Sequence, residues 1–346
     1  MPHAYSLTTI AESGQRFRDF RPYVAAINDD GLVAFQATLA RGETGIFVGR
    51  GGPVTTLCES GGNLRSIDSH PDIDASGRCC SYGTDRSGRR GVFMLTDGRP
   101  ELLADDAGPL GPTINSRGDI AFRSAVPGGV AGIRIARDNT ISTIADTRHF
   151  AAFHGIPVVN SSGQVAFRAD LAPDRAVIML ATPPASNSPI DPHILSTIAT
   201  ADDDLASLGS FPALDDTGTV AFAAVLQSGR SGIFSVSQGR RSLLLETGDA
   251  FESCRGVLLG PTPIFFATPR GGTLGIFTGP DPKTDELLRI GSPFMGSAVA
   301  DFALNSVSIN RSGQLALRIA LADGRQFILR ADPPSAESPP PRTIGP

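Results

Sequence analysis

Two side chains able to exchange protons interrupt a repeated pattern near residue 70. The chain repeats an eight-residue motif, and the positions four and two residues before most copies hold apolar or small side chains. Before the second copy these positions hold His70 and Asp72. Alternate residues of a β-strand point to the same face, so we expect both side chains to face the same way. A carboxylate that orients an imidazole raises its pKa and favours acid/base catalysis, whereas a buried hydrogen-bonded pair without a catalytic role is the structural alternative.

The same stretch also offers alternating metal ligands. Asp68, His70, Asp72 and Asp74 stand two residues apart, and imidazole and carboxylate groups suit zinc or manganese. One strand cannot supply a compact site by itself, however, and Asp74 is needed in the turn that follows. We therefore predict no cofactor and keep a divalent metal as the weaker alternative.

Other polar side chains stand before the other copies of the motif, in segments of variable length. If several of them converge, they would favour a carboxylate or phosphate ligand through bidentate arginine contacts, whereas any one of them alone reads as an ordinary solvated charge. His154 is a third candidate acid/base group. The candidate substrate-binding residues are Arg16, Arg18, Arg21, Tyr23, Arg65, His149, Glu252 and Arg255.

The repeated motif predicts the scaffold that positions these groups. It reads Asn/Asp-x-x-Gly-x-x-Ala-Phe in its clear copies and recurs at intervals of 41 to 55 residues. Each unit contains four short apolar segments separated by turns and no helical apolar period, which predicts four antiparallel strands. Seven such units favour an all-β, seven-bladed β-propeller. The first residues of the units are Asn28, Asp74, Asn115, Asn160, Asp215, Leu258 and Asn310.

The two ends of the chain predict how the ring closes. The last unit lacks a fourth strand, and residues 5–11 resemble the fourth strand of the third unit at 140–145. We therefore expect the N-terminal strand to complete blade seven and to cover an otherwise open sheet edge. We expect residues 1–330 to form a single propeller domain and residues 331–346, which are rich in proline, to be a disordered tail.

The motif also resembles a known family. The Asn-x-x-Gly-x-x-Ala-Phe copies at 28–35, 115–122 and 160–167 resemble a family of tandem-repeat bacterial proteins named for that motif, and the resemblance covers about residues 5–330. It implies a repeat structure. The family has no established activity, so the resemblance adds no catalytic residue.

Composition narrows the classes of partner. The net charge of −5 and the absence of Trp argue against a nucleic-acid-binding surface, and no apolar run approaches the ~18 residues of a membrane span. No signal peptide is evident, and the four Cys form no Cys-x-x-Cys pair. We therefore expect a cytoplasmic monomer that binds neither nucleic acid nor membrane.

These features give two functional hypotheses. The motif turns lie on one face of a propeller, so the variable segments lie on the other, around the channel mouth where ligands bind. The first hypothesis is an enzyme of the lyase, isomerase, cyclase or hydrolase type that uses His70 or His154 for acid/base chemistry on a small anionic or polar substrate. The alternative is a non-catalytic propeller scaffold that binds a ligand or a protein. A deep cavity containing several of the candidate residues would favour the enzyme.

Overall fold

The computed structural model confirms the predicted architecture. Seven antiparallel sheets of four or five strands form a ring with almost no helix. The structure describes residues 5–20, 23–96, 98–105, 108–126, 129–138, 140–184, 192–202 and 204–334. The predicted tail lies outside the described residues from 335 onward, while Ala331 and Asp332 end the last strand.

The strands follow the chain from one blade to the next. Blade one contains β2 (Phe17–Asp19), β3 (Ala26–Ile27), β4 (Val33–Leu39), β5 (Thr44–Gly49) and β6 (Thr55–Glu59). Blade two contains β7 (Leu64–Ile67), β8 (Asp72–Ile73), β9 (Cys79–Asp85), β10 (Arg90–Thr96) and β11 (Arg99–Asp105). Blade three contains β12 (Thr113–Ile114), β13 (Ile120–Val126), β14 (Val130–Arg137) and β15 (Thr140–Asp146). Blade four contains β16 (Ala152–Val159), β17 (Val165–Ala172), β18 (Arg175–Thr182) and β19 (Ile194–Thr200).

The remaining blades complete the ring. Blade five contains β20 (Leu205–Leu208), β21 (Ala213–Leu214), β22 (Val220–Leu226), β23 (Ser231–Ser237) and β24 (Arg240–Glu246). Blade six contains β25 (Phe251–Leu258), β26 (Ile264–Pro269), β27 (Gly275–Phe277) and β28 (Glu286–Arg289). Blade seven contains β29 (Pro293–Phe294), β30 (Ser297–Ala303), a 3₁₀ turn (Ser306–Ser308), β31 (Leu315–Leu321), β32 (Gln326–Asp332) and, from the N-terminus, β1 (Ser6–Glu12).

The first residue of the motif joins each turn to the next blade. The side-chain oxygen of Asn160 accepts hydrogen bonds from the backbone N–H groups of Ser162 (3.2 Å) and Gln164 (2.9 Å), which fixes the turn. Its amide group donates to the backbone carbonyl of Asp215, the first motif residue of blade five, at 2.9 Å. Equivalent donations join Asn310 to Asn28, Asn28 to Asp74, and Asn115 to Asn160. Asparagine can serve both roles because its amide group carries both an acceptor and donors.

The last two motif residues pack neighbouring blades together. Phe222 is fully buried, and it belongs to one hydrophobic cluster with Ala166 of the preceding blade. The small alanine leaves room for the neighbouring ring, so close packing between blades needs this pairing of sizes. The same pairing joins Ala316 to Phe35, Ala121 to Phe167, and Ala221 to Phe265.

Proline interrupts the inner strand of several blades and turns side chains toward the channel. In blade two the inner strand is split into β7 and β8, which both pair with β9, and Pro71 lies in the gap. Proline has no backbone N–H to donate to the ladder, so the strand breaks there. Pro212 occupies the same place between β20 and β21. These gaps hold His70 and Phe211, which line the channel.

The N-terminal strand closes the ring as predicted. β1 pairs antiparallel with β32 along its length, from Ser6 opposite Asp332 to Glu12 opposite Phe327. Blade seven therefore joins the two ends of the chain. Its outer strand, β1, comes from the N-terminus, and its other strands come from the C-terminal part of the chain. No helix of the described residues is long and apolar enough to cross a membrane.

Candidate functional site

A cavity of about 450 Å³ lies at the mouth of the channel on the face opposite the motif turns. We call it the upper cavity. All seven blades contribute to its wall, which is mainly apolar. Its lining residues are Tyr23, Val24, His70, Leu110, Ile156, Phe211, Arg255, Gly256, Val257, Phe266, Leu274, Phe302, Ala303, Leu304, Asn305 and Ser306.

His70 lines this cavity, and one nitrogen of its ring is buried and unpaired. Its Nδ1 lies 3.1 Å from the carbonyl oxygen of Pro71, which can only accept, so Nδ1 carries the proton and Nε2 presents a lone pair. The side chain is only 5% exposed, and Nε2 has no hydrogen-bond partner among the described residues. Burial lowers the pKa of His70 below its usual range, so the ring is neutral at neutral pH. A ligand N–H or O–H group would satisfy this nitrogen.

Gly111 of blade three leaves the space in which the imidazole lies. A Cβ atom at this position would lie 2.6 Å from Nε2 of His70, well inside van der Waals contact. The ring is therefore held between Pro71 and the backbone of the next blade, which fixes the direction of the unpaired nitrogen.

Two further predicted residues line the upper cavity. The hydroxyl of Tyr23 donates to the backbone carbonyl of Asp68 at 2.9 Å, which leaves its oxygen able to accept. Burial, with a smaller contribution from Asp68, raises the pKa of Tyr23. Arg255 is the residue without a strand partner in a bulge of β25, and no described residue forms an ion pair or hydrogen bond with its guanidinium. The cavity therefore combines a cation, an unpaired acceptor and a phenol.

The sequence predicts that Asp72 pairs with His70, and the structure does not show this pair. Both side chains face the channel, but Asp72 lies lower and borders a different cavity. Its Oδ1 accepts from its neighbour Ile73 (2.8 Å), and its Oδ2 accepts from the backbone N–H of Ile114 in blade three (2.7 Å). Two residues along a strand span ~7 Å, so side chains on one face can contact different neighbours. Asp72 joins blades two and three and is not in a position to orient His70.

The carboxylate–imidazole pair expected at His70 occurs instead at His154. Its Nε2 lies 2.6 Å from Oδ2 of Asp170, whose other oxygen accepts from Arg168 at 2.5 Å. His154 is on β16 and Asp170 on the paired strand β17. The histidine side chain is 40% exposed and lies two residues from Ile156, outside the lining of the upper cavity.

Among the described residues, the other predicted binding residues do not line the upper cavity. Arg16 donates to Val54 (3.1 Å), just before the outer strand β6, and to Thr56 of that strand (2.6 Å), and its guanidinium lies over two phenylalanine rings. Arg18 pairs with Asp19, and His149 pairs with Asp146. Arg65 and Glu252 are exposed on β7 and β25. Arg21 lies outside the described residues. The length of the arginine side chains and the bulges in the strands determine where these groups lie, and neither can be read from the spacing of residues in the sequence.

The alternating residues of blade two do not gather into a metal site. Asp68 accepts from Thr84, and Asp74 pairs with Arg78 at 2.8 Å. Within the described part of the chain, no three His, Cys, Asp or Glu side chains could hold one ion. The four residues therefore have separate structural partners.

A second cavity, of about 490 Å³, lies at the other mouth among the motif turns, and we call it the lower cavity. Asp72 borders it. Arg311 of blade seven lies in the same lining and pairs with Asp29 of blade one and, at 3.7 Å, with Asp216 of blade five. These ion pairs cross the mouth. The charges placed here therefore pair with each other, unlike Arg255 in the upper cavity.

The apolar residues that make the wall of the upper cavity hydrophobic were not among the predicted site residues. Leu110 and Phe211 are 43% and 49% exposed at its edge, although both are large and hydrophobic. Phe211 could have been recognised from the sequence, because it stands four residues before Asp215, as His70 stands four residues before Asp74. Asp170 was missed because its pairing depends on the register between β16 and β17.

Comparison with solved structures identifies a common fold. The oligogalacturonate lyase of Vibrio parahaemolyticus is similar over 95% of this chain and 98% of its own, with a TM-score of 0.56 and 9% identity. The puromycin-hydrolyzing peptidase of Mycobacterium tuberculosis is similar over 96% of this chain, with a TM-score of 0.53 and 14% identity. PorZ, a surface component of the type IX secretion system of Porphyromonas gingivalis, matches 91% of it, with a TM-score of 0.50 and 14% identity.

These similarities concern the propeller alone. The chain spans 47% of the PorZ chain and 54% of the peptidase chain, about half of each. Identities of 9 to 14% show a shared fold and leave the activity to be argued from the site. No family model and no curated sequence matches this chain, so the repeated blade is shown and the resemblance to the motif family is not confirmed.

Proposed function

We propose that this propeller is an enzyme that binds a small anionic substrate in the upper cavity and removes a proton from it with Nε2 of His70. The observation that carries the proposal is that His70, whose Nε2 is buried and unpaired, lines a cavity of ligand size. Buried polar atoms are nearly always paired, so an unpaired one at a cavity is a strong indication of a ligand group. Propellers host several unrelated reactions, and the fold is compatible with this one.

Charge complementarity supports an anionic substrate. Arg255 has no acidic partner among the described residues and can hold a carboxylate through two parallel hydrogen bonds. The proton then passes from a substrate C–H or O–H group to Nε2 of His70, while the electron pair stays on the substrate. The substrate's own negative charge raises the basicity of the imidazole, which offsets the effect of burial on the His70 pKa.

A non-catalytic ligand-binding role is the second candidate. It is favoured by the absence of a carboxylate on His70, because Nδ1 donates to the Pro71 carbonyl and Asp72 is occupied elsewhere. In that role the neutral imidazole only accepts a hydrogen bond. The two functions share one site and differ in whether a proton leaves the ligand.

Hydrogen–deuterium exchange separates the two functions. The purified chain is incubated in D₂O with pyruvate, phenylpyruvate or mandelate, each a carboxylate with an exchangeable C–H, and exchange is followed by NMR alongside binding. We expect faster exchange of at least one compound with the wild type. We expect the His70→Gln variant to retain binding but to lose about 100-fold or more of the acceleration, since glutamine is not a base at neutral pH.

The control is His149→Gln, which removes an exposed histidine outside the cavity and should behave as the wild type. Binding without accelerated exchange by the wild type would favour the non-catalytic function. Failure of all three compounds to bind would contradict both functions at this site.

A further inference from the structure

We infer that the substrate carries an apolar body of the aryl or branched-alkyl kind, and that Leu110 and Phe211 select it at the mouth of the upper cavity. This inference rests on the proposed function and specifies its substrate class. Nothing in the similar structures suggests it, because their likeness is confined to the fold.

The wall of the upper cavity is mainly apolar. Val24, Ile156, Phe266 and Phe302 come from four different blades, so apolar surface surrounds the bound molecule. The side-chain oxygen of Asn305 already accepts from the N–H of Val307 at 3.0 Å. A sugar acid has a hydroxyl on nearly every carbon, and the hydroxyls that face this apolar wall lose water without gaining a partner. An apolar body loses nothing on entering such a wall.

Leu110 occupies an unfavourable backbone conformation at the cavity edge. Its φ is 80°, in the region that favours glycine, and its side chain is 43% exposed while lining the cavity. The next residue, Gly111, packs against the imidazole of His70. Strained backbone is held in place by the surrounding structure and is concentrated at active sites and ligand-binding sites. The strained turn therefore places the Leu110 side chain at the cavity edge and leaves the space that the His70 ring occupies.

Phe211 supplies a second exposed apolar surface at the cavity, from blade five. Its ring is 49% exposed, and it lies in the strand gap that corresponds to the gap holding His70. Blade four, with Ile156 at the cavity, separates it from Leu110 in blade three. Burying two exposed apolar side chains against a ligand yields affinity in proportion to the area covered.

The test measures binding of phenylacetate to the full chain by calorimetry, with galacturonate as the competing class. We expect phenylacetate to bind and galacturonate to bind at least tenfold more weakly. Leu110→Asn and Phe211→Ser should each weaken phenylacetate binding by about tenfold. Asparagine tolerates positive φ better than leucine, so Leu110→Asn should also raise the thermal unfolding midpoint. A purely structural role for Leu110 would not combine higher stability with weaker binding.

The matched control is Leu243→Ser, which removes an equally exposed leucine (50%) from the outer strand β24. Its phenylacetate affinity should stay within twofold of the wild type. The inference is overturned if phenylacetate does not bind, if galacturonate binds as tightly, or if both cavity variants leave the affinity unchanged. Neutral phenylacetamide tests the proposed function separately: equal binding of the amide and the acid would contradict the anion-binding role of Arg255 while leaving the apolar selectivity in place.

Discussion

Burial shifts the pKa values of two neighbouring channel residues in opposite directions. It lowers the pKa of His70 and raises that of Asp72 to about 7, because in both cases the charged form loses its hydration. The amide groups of Ile114 and Ile73 counter part of the effect on Asp72 by donating to its oxygens. His70 is thereby kept neutral as an acceptor, while Asp72 titrates near neutrality at a joint between blades.

The stability of the protein should depend on the protonation of Asp72. Its folded-state pKa of about 7 lies above the ordinary value of 3.8, so the folded chain holds a proton that the unfolded chain releases. The resulting stability is fully present below pH ~4 and is lost as the pH rises through 7. In urea unfolding at pH 4.5, 6 and 7.5, the unfolding free energy of the wild type minus that of Asp72→Asn should fall with pH, by roughly 3–4 kcal/mol over the whole window.

Asp85→Asn is the control for this experiment. The hydrogen bond from Ser87, aided by Arg89, lowers the pKa of Asp85 to about 2, so Asp85 is ionised in the folded and unfolded chain over most of the same pH range. Its difference from the wild type should therefore change little between pH 6 and 7.5. A flat profile for Asp72→Asn would mean that the two amide donors keep Asp72 ionised.

The sequence predicts that His70 faces the channel, and its prediction of a contact between Asp72 and His70 is wrong for a physical reason. His70 was singled out because a polar side chain replaces an apolar one at a channel-facing position, and the structure places it at the upper cavity. Strand periodicity gives the face of a side chain but not the blade whose backbone it contacts. The partner of Asp72 is Ile114, 42 residues later, and no local pattern encodes that contact.

At the scale of the element, the motif turn explains why asparagine recurs at its first position. Aspartate can fix the turn, as Asp215 does by accepting from Thr217 and Thr219, but its carboxylate cannot donate to the next blade. In blade two, Asp74 accordingly bonds Arg78, and Asp72 forms the link to blade three. A side chain of blade two is therefore still joined to blade three, through Asp72.

Asn160→Asp tests the role of the donor in this link. The variant keeps the acceptor that fixes the turn and removes the hydrogen bond to the Asp215 carbonyl. The partly buried carbonyl then loses its donor and faces a carboxylate. We expect a loss of about 1–3 kcal/mol in the free energy of unfolding, measured in urea. Ser116→Ala changes an exposed residue of a neighbouring turn and should cost less than ~0.5 kcal/mol. Equal effects of the two variants would contradict the linking role.

The number of blades and the order of their strands could be predicted because every blade repeats the same local chemistry. Turn glycines, alternating apolar residues and the Ala-Phe pair all mark β-structure before any tertiary contact is known. The gaps in the inner strands were harder to predict from the sequence. Pro71 and Pro212 were visible as a recurring position, but the split of each inner strand into two pieces depends on pairing with β9 and β22. Blade six keeps a continuous β25 although Leu258 has replaced the asparagine of the turn.

At the scale of the whole molecule, the ring has one joint that differs from all others. The outer strands of blades one to six each follow their neighbour through a short or local connection, whereas β1 pairs with β32 across the full length of the chain. Local opening of β1 therefore separates the two ends of the ring, and it also exposes the edge of β32 to other chains.

Thr9→Pro should consequently cost more stability than an equivalent change elsewhere. Thr9 pairs with Leu329 beside the bulge of β1, and Leu243 of β24 occupies the corresponding place opposite Phe234. Proline at either position removes a backbone N–H and strains an outer strand. Only at Thr9 does the loosened strand also hold the ring closed, so we expect its thermal unfolding midpoint to fall several degrees further than that of Leu243→Pro, with larger species on size-exclusion chromatography. Equal midpoints for the two variants would show that β1 adds no more than any other outer strand.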